Sequence, residues 1–111
     1  MIEEIIRNYL NGKLSVKVYT EEEPDMPDKY VLLEKTGSGG ANFIKRATLA
    51  IQSFSVSLYG AAELNERVKE LMAESVCMDE ICKCTLNSDY NYTDTSRKKY
   101  RYQAVFDIIH Y

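Results

Sequence analysis

The chain has 111 residues, 45% of them hydrophobic and 28% charged, with a net charge of −3. That is the length of one domain, with enough apolar content for its own core and too little charge excess for a disordered chain. The acidic balance excludes the dominant basic field with which proteins grip nucleic acid, and no apolar run approaches the ~18 residues needed to span a bilayer.

The chain opens MIEEII. A secretory leader is basic and then apolar, so a soluble, cytosolic chain with no membrane partner is expected. Ile2, Ile5, Ile6, Tyr9 and Leu10 recur at helical spacing. They predict a helix over 2–11, with Glu3 and Glu4 favoured by its dipole and Asn11-Gly12 closing it in a left-handed cap. Residues 15–19 alternate as a short strand. Residues 21–28, EEEPDMPD, form an acidic connection carrying Glu21, Glu22, Glu23, Asp25 and Asp28. They lack the central glycine and closing glutamate of a calcium loop, so a solvated loop is expected.

Residues 29–36 read as the second strand. Gly37, Ser38, Gly39 and Gly40 then start a flexible loop that runs through Asn42 and Phe43. It lacks the Gly-Lys-Ser/Thr ending of a phosphate loop and leads into a strand. Disorder in the free subunit is expected there. Residues 43–56 predict a long strand with Ala47, Leu49 and Ile51 on one face. A bulge near Gln52-Ser53 would bring Phe54 and Val56 to the same face.

Residues 57–76 predict the main helix, with Ser57 as N-cap and Gly60 weakening its start. Ala61, Leu64, Val68, Leu71 and Met72 form its apolar stripe, and Glu63 and Arg67 stand as an attractive pair four apart. Residues 80–86 read as a strand with Cys82 and Cys84 on one face. Residues 87–96 are polar and turn-rich, and 99–111 read as a strand. Tyr102, Ala104, Phe106 and Ile108 share one side of that strand, with Val105 and Ile109 among polar residues on the other. Apolar groups on both sides point to cover from both, the second side being a neighbouring subunit's place. The expected fold is therefore α+β. It is a mainly antiparallel sheet of four or five strands, with two helices packed on one face.

The three cysteines, Cys77, Cys82 and Cys84, are an odd number for a disulfide framework. With His110 their spacing is irregular for zinc, and nothing nearby marks an activated nucleophile. No catalytic residue, metal or cofactor is expected. Tyr90, Tyr92, Arg97, Lys98, Lys99 and Arg101 mix basic and aromatic side chains. Such mixtures also occur in nucleic-acid binders, but with an acidic chain a protein contact is the favoured reading. The alternative is a small nucleic-acid-binding adaptor using the Arg97–Arg101 segment.

Several phrases stand in a telling order: Val31-Leu32-Leu33-Glu34-Lys35-Thr36-Gly37, then Ala47-Thr48-Leu49-Ala50-Ile51-Gln52. The helix phrase Ala61-Ala62-Glu63-Leu64 through Val68 follows, and last comes Tyr100-Arg101-Tyr102-Gln103-Ala104-Val105. In this order they resemble the tail terminator (tail-completion) proteins of long-tailed bacteriophages and prophages. The resemblance spans nearly the whole chain; the Cys77–Cys84 segment and the Tyr90–Tyr92 loop stand outside it. It implies a non-enzymatic virion-assembly protein that forms a ring, commonly a hexamer, at the head-proximal end of the tail. The partners implied are other copies of itself, the tail tube protein and a head-connector or neck protein. DNA would pass through the ring without specific recognition. The setting implied is the bacterial host cytoplasm during assembly and then the virion tail. For such contacts the candidate residues are the acidic loop, the glycine-rich loop and the basic, tyrosine-rich segment.

Overall fold

The computed structural model describes residues 1–41, 44–97 and 99–111. Helix α1 (Ile2–Lys13) leads to strand β1 (Val18–Tyr19), then β2 (Tyr30–Ala41) and β3 (Ile44–Ser55). Helix α2 (Leu58–Glu74) and a 3-10 turn (Ser75–Cys77) precede β4 (Ile81–Asn91) and β5 (Tyr100–His110). The fold is α+β. Five strands form one sheet in the order β1-β2-β3-β5-β4, and both helices pack against it. All pairings are antiparallel except the two-residue β1, which runs parallel to β2.

One core explains why the two helices share a face. Ile2, Ile6 and Leu10 of α1 and Leu64, Val68, Leu71 and Met72 of α2 are buried in the same cluster. Leu33, Leu49, Ile51, Ala104, Phe106 and Ile108 rise from the sheet to meet them. Ser57 caps α2 as its sequence requires, its Oγ accepting from the Gly60 amide at 3.0 Å. Gly60 is there for space, since a Cβ at that position would overlap the Ser55 hydroxyl.

The structure corrects the sequence reading in several places. Gly12 lies inside α1, which ends at Leu14 in extended conformation. Asn11 makes no cap; its Oδ1 accepts from the Val18 amide at 2.8 Å and ties β1 to the helix. The glycine-rich segment is strand through Ala41, with a register shift between Lys35 and Gly37. Cross-strand pairing with β3 supplies there the hydrogen bonds that a free loop would leave to water. Gly40 adopts φ +151, a conformation other residues rarely reach. Asn42 and Phe43 lie outside the described residues.

No register shift interrupts β3 near Gln52-Ser53. Phe54 is buried, but on the sheet face opposite Leu49 and Ile51, and Val56 is exposed beyond the strand end. In α2, Arg67 bonds Glu70 at 3.1 Å and Lys69 bonds Glu66 at 2.9 Å, so Arg67 reaches three residues forward to Glu70. Strand β4 is longer than expected and carries Tyr90. Register shifts lie at Cys82 and Asn87. The first turns Ile81 and Cys84 toward the core and leaves Cys82 exposed, so the two cysteines do not share a face.

Candidate functional site

The sheet face away from the helices gathers seven of the candidate residues at one end. Register places Tyr30 beside Phe54, Phe54 beside Arg101, and Arg101 next to Tyr92, whose amide donates to the Arg101 carbonyl. These side chains stack into a continuous row. Tyr19 meets Tyr30 edge-on at 5.8 Å, and Tyr30 lies flat on Phe54 at 4.3 Å. The Arg101 guanidinium covers Phe54 at 5.6 Å and Tyr92 at 4.5 Å. Tyr92 meets Tyr90 edge-on at 5.8 Å. Cations over ring faces gain from the ring quadrupole, so the row is attractive along its length.

Lys99 links this row to the acidic loop. Its Nζ lies 5.0 Å over the Phe54 ring and 3.2 Å from Glu22 Oε1. The Tyr30 phenol and the Glu22 carboxylate hold its proton more tightly than an ordinary lysine's, against the opposing effect of burial. Met26, Pro27 and Asp28 close the other side of a cleft of about 440 Å³ whose floor is Tyr30 and Phe54. Asp28 lines it, and Glu21, Glu23 and Asp25 of the same segment are exposed. Arg97 borders the same cleft and stands 3.8 Å from Asp94, whose carboxyl falls below its usual range because the Ser96 hydroxyl bonds it.

A second row lies beside the first. Gln52 donates to Gln103 at 2.8 Å, and Gln103 donates to the Tyr90 hydroxyl at 2.5 Å. This ladder fixes Tyr90, which remains exposed. Arg101 is fixed too, its Nε donating to the Tyr92 carbonyl at 2.6 Å.

Thus the structure brings Glu22, Asp28, Tyr90, Tyr92, Arg97, Lys99 and Arg101 to one rim. It does not bring Gly37, Ser38, Gly39 and Gly40 there; they lie toward the opposite end of β2. Lys98 lies outside the described residues. The sequence reading missed Tyr19, Tyr30 and Phe54, which anchor the row. Their signal was present as aromatic residues at strand ends, but pairing Tyr30 with Phe54 requires the β2–β3 register.

The cysteines have separate surroundings. Burial pushes the Cys84 thiol up, while Cys77 and Cys82 are exposed. Cys82 neighbours Tyr111 and raises its phenol. Among the described residues no group of three His, Cys, Asp or Glu stands close enough to hold a metal ion. None of the described helices is long and apolar enough to cross a membrane. No protein-family model matches the chain, and no curated protein matches its sequence.

Proposed function

We propose that the chain is a tail terminator of a long-tailed phage or prophage, a structural protein that closes the tail tube as a ring and offers the surface to which the head joins. The resemblance in sequence motivates this reading, and the rim at the Glu22–Lys99 contact is the observation that carries it. Two polar segments 77 residues apart converge on a rigid aromatic floor. Acidic and basic groups then stand side by side in solvent. A rim of this kind recognises a partner by charge pattern and fixes its register. Tyrosine and arginine are the side chains most often used to anchor protein contacts.

The mechanism is steric. A ring of copies seated on the last tube layer occupies the surface where another layer would add. Weak contacts repeated around a ring sum through effective concentration. An acidic chain lining a DNA path repels the duplex and lets it slide. The proposal requires no cofactor, metal or reacting group.

The nucleic-acid adaptor reading is less favoured by the same geometry. Lys99 is paired with Glu22, Arg101 is held by the Tyr92 carbonyl, and the acidic loop flanks both. Phosphate binding needs cations free to replace counterions.

The test is a phage lacking this chain. Overlong tails that fail to join heads are expected, with purified protein restoring a defined tube end in the absence of nucleotide and metal. Normal tails joined to heads would end the reading. Tight, salt-sensitive retention of DNA by the purified protein would favour the adaptor.

A further inference from the structure

We propose that copies of this chain join edge to edge, the β4 edge of one pairing with the uncovered part of β2 in the next. Strand β2 has 12 residues, yet β1 pairs with Val31 and Leu32 alone. Past them the edge borders an open cleft of about 560 Å³, lined by Met1, Glu3, Glu4, Arg7, Glu34 and Lys35 among others. At the other side of the sheet β4 runs for 11 residues and, among the described residues, pairs with β5 only. Open edges are templates for another strand.

Three relations make these two edges partners. The first is direction. Strand sense alternates from β2 through β3 and β5 to β4. A neighbour generated by rotation about an axis along the strands therefore presents β4 antiparallel to β2. The second is height. Leu33 is level with Ile51, Ala104 and Asp89, and Lys35 with Leu49, Phe106 and Leu86. Gly39 is level with Arg46, Ile109 and Lys83. The uncovered stretch of β2 and the part of β4 from Ile81 to Asp89 thus meet without a vertical shift.

The third relation is side-chain chemistry in that level register. On the helix side, Lys35 meets Leu86 and lies diagonal to Asp89, where the new attraction would add to the ion pairs each makes in its own chain, Lys35 with Glu3 at 3.9 Å and Asp89 with Lys69 at 3.2 Å. Exposed Leu86 then covers exposed Met1 beside the cleft. On the other side, Lys83 and Thr85 fall against Gly37 and Gly39, where a Cβ at Gly39 would touch nothing. Backbone polarity also fits. The Val31 amide donates outward to Lys17, and alternation past the register shift turns the Ser38 amide to the same open edge. The joint is heterologous, so repetition gives a ring when the rotation closes. The inference deepens the ring reading and rests on it for closure, although the pairing itself does not.

Proline on an edge removes an outward donor and leaves the inner ladder intact. Ser38→Pro disables the β2 edge and Leu86→Pro the β4 edge; Ser38→Ala and Leu86→Ala are the controls. Sedimentation should show association of the wild type and both alanine variants, and monomers of each proline variant alone. A mixture of the two proline variants should give a heterodimer and nothing larger, because one intact edge of each remains. Should a proline variant fail to fold by circular dichroism, Lys35→Glu and Asp89→Lys serve instead. Each alone should weaken association by about tenfold or more, and the two combined should restore it. Proline variants that assemble like the wild type, or a wild type that is monomeric both alone and on tail tubes, would overturn the proposal. A chain that pairs by its edges but never caps tubes keeps this inference and loses the terminator reading. Rings of Ser38→Pro that cap tubes do the reverse.

Discussion

Lys99 donates to Glu22 at 3.2 Å while lying 5.0 Å above the Phe54 ring, so one ammonium group serves both the acidic loop and the aromatic row. The two contacts differ in worth. The ion pair is partly solvated and screened, so Glu22→Gln should cost under about 1 kcal/mol. Phe54 is 1% exposed and stacked on Tyr30, so Phe54→Ala should cost about 3–5 kcal/mol. Urea unfolding of the two variants checks the order. Equal losses would mean that the loop contact holds this end of the sheet as firmly as the stacked floor does.

Leu71 is 1% exposed at the centre of the α2 stripe. Leu71→Asp places a charge in the shared core, at a cost comparable with the whole stability of a domain this size. No cooperative melt should survive by circular dichroism. A wild-type melt would remove α2 from the sheet.

Gly40 and Gly39 make a matched pair. A Cβ at Gly40 would stand 2.5 Å from the Ile44 carbonyl oxygen with the backbone at φ +151, whereas one at Gly39 meets nothing within 4 Å. Gly40→Ala should lose about 1–3 kcal/mol and Gly39→Ala close to none. Thermal melts of both, side by side, decide it.

Part of this architecture was legible in the sequence. The helix over Leu58–Glu74 and the strand over Tyr100–His110 carry strong, long periodicities; Ala104, Phe106 and Ile108 are buried as that pattern requires, whereas Val105 and Ile109, expected to be covered on the second side, are half-buried. The Gly37–Gly40 segment misled because glycine marks flexibility only when no partner strand fixes it. Here β3 supplies that partner, a tertiary fact. The parity of Phe54 suggests a bulge only if the sheet has a single core face. A second aromatic cluster on the opposite face satisfies Phe54 without any bulge. For the site, the residue types at the rim were readable, and their convergence across 77 positions was not.

Cysteine reactivity should follow exposure. Cys77 and Cys82 are open to solvent, and burial raises the Cys84 thiol, which lowers its thiolate fraction. Timed alkylation at pH 8 with peptide mass mapping should label Cys77 and Cys82 well before Cys84. Faster labelling of Cys84 would reveal an activated thiol that this environment does not supply.

Alkaline pH should destabilise the fold. Burial, and then the neighbouring Cys77, raise the Tyr9 phenol above 10.0, and its hydroxyl donates to the Leu71 carbonyl at 2.7 Å. The folded state thus holds this proton more tightly than the unfolded chain. Its contribution is complete below pH 10.0 and is lost as pH climbs through the raised folded value. Lys99, also raised, acts with the same sign from 10.5 upward. Denaturant midpoints across this range should fall, and Tyr9→Phe should flatten the earlier part of the decline. An unchanged slope in that variant would separate the phenol from the effect.

The strand order also has a kinetic consequence. Strand β4 precedes β5 in the chain, yet β5 stands between β4 and β3. During vectorial synthesis, β3 and its hairpin partner are available before the strand that completes their sheet exists. For that interval the β3 flank is bare, and β4 can settle against it in parallel, a pairing that must later come apart. A chain whose β3 flank waits for β5 in this way would expose apolar surface of the kind that chaperones retain. Folding speed should be limited by β5 insertion, a non-local step whose rate is set by topology more than by final stability.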